Sequence, residues 1–128
     1  MPPELDIQHV KAILTASDLI ASWQVLIEDE TADRALYKIR CRVIRAAYEL
    51  ELRLIQTESE IIYSYQLFTD RPIMRWDNAP HFPALQSFPH HIHDESGEID
   101  ESNLSGDPVQ DLPNVLNQLR SHLAKPSI

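Results

Sequence analysis

Between Arg75 and Asp94 the chain reads RWDNAPHFPALQSFPHHIHD, which sets four of its six histidines, His81, His90, His91 and His93, among Asp77, Asn78 and Asp94. Histidine changes charge near neutral pH and ligates metals, so imidazoles beside carboxylates and an arginine suit proton transfer or metal chemistry. The acid–base reading uses Arg75, Asp77, His81, His91 and His93: a neutral histidine takes a proton, a protonated one gives it back, and Arg75 offsets charge developing on a phosphate. Asp77 and Asp94 then orient the rings. In the metal reading, His91 and His93, two apart and therefore on one side of an extended backbone, join a third histidine, Asp77 or Asp94 around a divalent cation. The expected ligand set is His91, His93 and Asp94. His90 points the other way. The same residues also have a purely structural use, in which Asp77 and Asn78 cap a turn, the histidines bond backbone carbonyls, and Pro80, Pro83 and Pro89 hold the shape.

The rest of the chain bounds what such a segment serves. A length of 128 residues fits one domain, and 43% hydrophobic residues without a long apolar run argue against a membrane span. The start, Met1-Pro2-Pro3-Glu4, has no basic residue followed by an apolar stretch, so no secretory signal is expected. The single cysteine, Cys41, excludes an intrachain disulfide and agrees with a cytoplasmic location; its spacing with Tyr37, Ile39 and Val43 marks a buried apolar position rather than a reactive thiol. A net charge of -9 opposes nucleic-acid binding at first sight. The acid is at the ends, however: residues 31–93 hold eight basic and seven acidic side chains, while residues 1–30 set six acids against Lys11 alone. A near-neutral middle leaves room for a local basic face.

The elements that position the segment follow from periodicity. Ile7, Val10, Ile13, Leu14 and Ile20 recur at helical spacing and predict a helix over about 5–20. From Trp23 the period changes to two. Trp23, Val25 and Ile27, then Tyr37, Ile39, Cys41 and Val43, then Leu50, Leu52 and Leu54, then Tyr63, Tyr65 and Leu67 predict four strands with short antiparallel connections. Ile73 to Trp76 reads as a fifth and His90 to His93 as a short sixth. Residues 94–107, rich in Asp, Glu and Ser, read as an acidic flexible loop, and residues 108–124 as a closing helix with Asp111 at its N-cap. Chemistry also has two other candidate carriers. Lys38, Arg40 and Arg42 alternate along one strand as a basic row, with Arg34 and Arg53 as its extensions, and make a usable phosphate track unless Glu49 and Glu51 on the next strand neutralise it. Of the aromatics Trp23, Tyr37, Tyr63, Tyr65 and Trp76, most fall on core faces, and Trp76 alone stands inside the polar motif as a candidate base-stacking surface.

Together, Arg-Trp-Asp-Asn-Ala-Pro-His at 75–81 and Phe-Pro-His-His-Ile-His at 88–93, between a meander of strands and a Leu-rich final helix, resemble the TumE family of bacterial and archaeal toxin–antitoxin proteins over nearly the whole chain. Members usually have Tyr where this chain has Trp76, His where it has Phe82, and Lys or Arg where it has Ile92. The resemblance implies a toxin encoded beside an antitoxin with a helix-turn-helix domain. The resulting expectation is an α+β fold: an antiparallel sheet of about five strands with an N-terminal and a C-terminal helix on one face. The expected function is an RNA-cleaving toxin using the histidine segment, with a divalent metal and a homo-oligomer both left open. The alternative is a non-enzymatic interaction domain in which that segment is structural.

Overall fold

The structure, a computed structural model, describes residues 4–45 and 47–124; Met1-Pro2-Pro3, on which the expectation about a signal rests, and Lys125 lie outside them. Two helices, α1 (Ile7–Ala16) and α2 (Pro108–Leu123), bracket seven strands: β1 (Ile20–Glu30), β2 (Ala35–Val43), β3 (Glu49–Gln56), β4 (Ile61–Phe68), β5 (Pro72–Asp77), β6 (His91–His93) and β7 (Ile99–Glu101). The strands form one sheet in sequence order, β1 to β7, with every neighbouring pair antiparallel. The α+β class and the antiparallel sheet agree with the sequence reading.

The alternation of each strand sorts the sheet into two faces. Tyr37, Ile39 and Cys41 pair through Leu54, Leu52 and Leu50 to Tyr63, Tyr65 and Leu67, and Tyr65 continues to Trp76 and Ile92. This face meets Val10 and Leu14 of α1 and Leu112, Val115 and Leu119 of α2 in one fully buried core. Each such aliphatic side chain contributes about 1.5–3 kcal/mol by leaving water. The opposite face carries two polar rows. One runs Lys38, Arg53, Ser64, Asp77, His91, Glu101; the other runs Arg40, Glu51, Gln66, Arg75, His93, Ile99.

Four local expectations change. The first helix ends at Ala16 rather than near 20, because Leu19 and Ile20 reach the same core from extended backbone, where Leu19 accepts from Ile44 N at 2.9 Å. A bulge between Val25 and Ile27 inverts the alternation of β1, so Ile27 leaves the face of Trp23 and Val25 and is 41% exposed. The acidic run 94–107 contains β7. Asp94 Oδ1 accepts from Ser96 N and Glu98 N, both at 2.9 Å, and Gly97 takes φ 88°, so the run makes a hairpin turn. Finally, Asp107 rather than Asp111 caps α2, accepting from Val109 N at 3.1 Å with Pro108 next in line. Asp111 is buried one turn further on, where it accepts from Ser105 N, Ser105 Oγ and Gly106 N at 2.7–2.9 Å.

Candidate active site

The register of β5 and β6 brings four of the expected site residues together. Arg75 is opposite His93 and Asp77 is opposite His91, all on the polar face, while Trp76 and Ile92 between them turn to the helices. Asp77 Oδ1 lies 2.9 Å from His91 Nε2 and Asp77 Oδ2 lies 3.4 Å from His93 Nε2. The two imidazole Nε2 atoms are 3.1 Å apart. Arg75 donates from Nε to Asp77 Oδ2 at 2.7 Å and from Nη2 to His93 Nε2 at 2.9 Å, the only sense possible because a guanidinium has no acceptor. By the same logic His91 Nδ1, 3.0 Å from the Pro89 carbonyl, carries hydrogen.

Asp77 and His91 are buried although they lie on the face away from the helices. The segment between β5 and β6 covers them. Asp77 Oδ1 accepts from Ala79 N at 3.0 Å, and Asn78 bridges to β4, accepting from Tyr63 N and donating to the Ile61 carbonyl at 3.0 and 2.9 Å. The chain then folds back so that the Phe82 ring meets His91 and His93 edge-on, with centroids 4.8 and 6.0 Å away. The Glu101 carboxylate on β7 holds the far limb, accepting from Gln86 N at 3.0 Å and Ser87 N at 2.8 Å. Asp77 and Asn78 thus serve the turn and the cluster at once. Burial, then the Arg75 guanidinium, push the His93 imidazole below its ordinary value, which favours its neutral form.

The remaining candidates divide. His81 is exposed, edge-on to Phe82, and shares a cleft of about 260 Å³ with Arg53, Ile55, Ile62, Arg75 and Asp77. His90 points to the other face, as its place in the alternation predicts, and sits with Nδ1 2.7 Å from the Tyr63 hydroxyl; burial holds its imidazole below the ordinary value. Asp94, expected among the ligands, is instead the turn residue described above, and the carboxylate gathered with His91 and His93 belongs to Asp77. Trp76 is no stacking platform: it is fully buried, with its indole N–H donating to Gln118 Oε1 at 3.0 Å. Two members of the basic row are neutralised as the pairing predicts, since Arg40 and Lys38 lie 2.7 and 3.8 Å from Glu51, while Arg42 stands opposite Glu49 in the strand register.

Two contributors escape the sequence, and a third, Arg53, reads there only as an extension of the basic row. Phe82 gave no signal as a cover, because a ring between two prolines is equally at home in any loop. Glu101 was hidden by its acidic neighbours. Arg53 joins the site only through the row that β3, β4 and β5 build between it, Ser64 and Asp77.

Of the three departures from the resembled pattern, Trp76 and Ile92 lie on the core face and leave the polar cluster intact, while Phe82 stands within it. No curated protein and no solved structure gives a significant match. The model of a family described as toxin TumE matches residues 10–123, a span that takes in the entire sheet and both motifs of the cluster, and the chain belongs to that family.

Proposed function

We propose that this chain, by its family the toxin component of a toxin–antitoxin pair, is a ribonuclease acting through Arg75, Asp77, His81, His91 and His93. The observation that supports it is the joining of Asp77, His91, His93 and Arg75 into one hydrogen-bonded cluster beside an open cleft. Phosphodiester cleavage requires a group to take the proton of the attacking oxygen, a group to protonate the departing one, and positive charge on the phosphate. Arg75, whose side chain is 41% exposed, supplies the charge at the cleft mouth. His81, exposed at the rim, carries protons to and from the substrate. Asp77 fixes the ring of His91 and, through Arg75, the placement of the phosphate. Ile55 and Ile62 offer an apolar floor for a base, and Arg53 a second phosphate contact along the strand.

Family membership implies an antitoxin partner; that it carries a helix-turn-helix domain, and that the pair works in the cytoplasm, are part of the proposal. No helix among the described residues is long and apolar enough to cross a membrane. The test is incubation of purified protein with total cellular RNA, alongside a His91→Ala, His93→Ala double variant whose fold is checked by circular dichroism. Cleavage by the wild type that disappears in the folded variant is the expected result. A wild type that is toxic in cells yet leaves RNA intact would move the activity to protein interaction.

A further inference from the structure

We propose that Asp77, His91 and His93 bind one divalent transition-metal ion of the zinc class; its use in catalysis rests on the ribonuclease reading, but the binding itself does not. The spacing is the first reason. Two atoms bonded to a tetrahedral zinc at about 2.1 Å lie about 3.4 Å from each other. The three relevant separations here are 2.9 Å between Asp77 Oδ1 and His91 Nε2, 3.1 Å between the two Nε2 atoms, and 3.4 Å between Asp77 Oδ2 and His93 Nε2. Burial is the second, since His91 is 1% exposed and Asp77 6%.

The count of hydrogens is the third. His91 gives its Nδ1 hydrogen to the Pro89 carbonyl, so in the neutral ring Nε2 presents a lone pair. His93 Nε2 accepts from Arg75, so it too presents one. His91 Nε2 faces a carboxylate that brings further lone pairs and no hydrogen, and His93 Nε2, with Arg75 at its lone pair, lies 3.4 Å from the same carboxylate. Lone pairs converging in a buried place repel unless a cation stands among them. In the metal-free protein Arg75 answers His93 Nε2 and Asp77 Oδ2, which leaves the contact of His91 Nε2 with Asp77 Oδ1; a proton on His91 answers that one contact, whereas a divalent ion answers all three residues at once.

The surroundings complete the case. The Pro89 carbonyl fixes the His91 tautomer and Ala79 N steadies Asp77, the outer-shell support that metal ligands commonly have. Two ligand positions lie in register on adjacent strands, so the site needs little reorganisation. Three protein ligands leave a coordination position for a water or a phosphate oxygen. Arg75 is the competitor: its Nη2 holds the His93 lone pair, so an ion takes that ligand only by displacing it.

Titration of chelator-stripped full-length protein with Co²⁺, read by visible ligand-field bands, and with Zn²⁺, read by calorimetry, tests this without RNA. The expected result is one ion per chain. His93→Gln and Asp77→Asn weaken binding by more than the roughly 10–100-fold that outer-shell changes cost. Asp94→Asn leaves it unchanged, and Arg75→Gln tightens it. His93→Gln alters a partly exposed side chain, so a folded variant is available if replacement of buried His91 unfolds the chain. No binding by folded wild type, or equal binding by His93→Gln, overturns the site. Binding without RNA cleavage keeps the site and removes the ribonuclease. RNA cleavage by wild type that binds no ion removes the site and keeps the ribonuclease.

Discussion

Asp77 and His91 stand at directly paired positions of β5 and β6, with Oδ1 2.9 Å from Nε2, and both are buried on the sheet face that no helix covers. A sheet face away from the core is ordinarily solvated, and burying a carboxylate there is costly unless it is well paired. Asp77 accepts from Arg75 Nε and Ala79 N, and the Nε2 atoms of two imidazoles lie 2.9 and 3.4 Å from its oxygens. The fold therefore spends a segment of polypeptide, residues 78–90, on keeping water from these groups. Exclusion of water strengthens every charge interaction inside, which is what a reactive cluster needs and a purely structural turn does not.

The first prediction concerns that carboxylate. Asp77→Asn keeps the shape and the acceptor for Ala79 N but removes the charge that Arg75, His91 and His93 share. RNA cleavage and toxicity are expected to fall by about 100-fold or more, the scale on which preorganised charge acts. The urea midpoint, measured beside the activity, reports whether the loss is chemical; a collapse of the fold together with activity would show Asp77 to be structural.

The second concerns the cover. Glu101 holds Gln86 N and Ser87 N, and those two bonds, in that order, bring its carboxyl below the ordinary 4.5. A carboxyl depressed on folding contributes its full share above the ordinary value and loses it as pH falls through the lower, folded one. These two bonds are thus kept at neutral pH and weaken only as pH falls below 4.5. Amide resonances of Gln86 and Ser87 followed by NMR are expected to titrate there. In Glu101→Ala the same amides exchange faster with solvent at neutral pH, and activity falls with β1 to β4 unchanged. Unaltered exchange would mean that the segment holds itself.

Much of this was legible in the chain because two-residue alternation is a direct record of which way side chains point. Tyr63 and Tyr65, Leu50 to Leu54, and the divergence of His90 from His91 and His93 all read correctly from it. Alternation says nothing about what later folds over a face. Trp76 looked like a stacking surface because its sequence neighbours are polar, yet those neighbours, Arg75 and Asp77, are on the other side of the same strand. Asp94 is next to His93 in sequence and looked like its partner, but the turn to β7 had a nearer use for it. Asp77, 14 residues before His91, is the true neighbour, and only the pairing of β5 with β6 brings it there. Asp111 misled in the same way, since its spacing suits a cap and Asp107-Pro108 was the better one.

The third prediction separates the two roles once open to Trp76. Trp76→Phe retains the buried ring but leaves Gln118 Oε1 without its donor and a small cavity behind. Stability is expected to drop by about 1–3 kcal/mol while RNA affinity holds. The indole is also expected to resist quenching by acrylamide. Weaker RNA binding at unchanged stability would place the ring on the substrate after all.

The fourth concerns Cys41. It is fully buried between Ile39 and Val43, and burial pushes its thiol up to about 12. A thiol so placed is neither ionised nor accessible at neutral pH. Iodoacetamide at pH 8 is expected to label it only at the rate at which the chain unfolds, so adding urea accelerates labelling in step with the unfolding transition. Rapid labelling of native protein with activity lost in proportion would make Cys41 part of the chemistry.

The fifth asks which arginines meet the substrate. Arg40 and Arg53 lie on the same polar face of neighbouring strands, and sequence alone ranks Arg40 higher because it belongs to the basic row. Their partners reverse the order. Arg40 donates to Glu51 at 2.7 Å, so much of its charge is already answered, whereas Arg53 is exposed and forms no ion pair among the described residues. Arg53 also lines the cleft with Arg75, whereas Arg40 does not. Binding of a short single-stranded RNA, followed by anisotropy across a salt series, is therefore expected to weaken in Arg53→Ala, with the slope of log affinity against log salt reduced by about 0.7, the share of one phosphate contact. Arg40→Ala is expected to keep the wild-type slope, because a cation held by Glu51 releases no counterion from the nucleic acid. Equal slopes in the two variants would mean that RNA does not run along the β3–β4 side of the cluster, and the cleft would lose its claim as the path of the substrate.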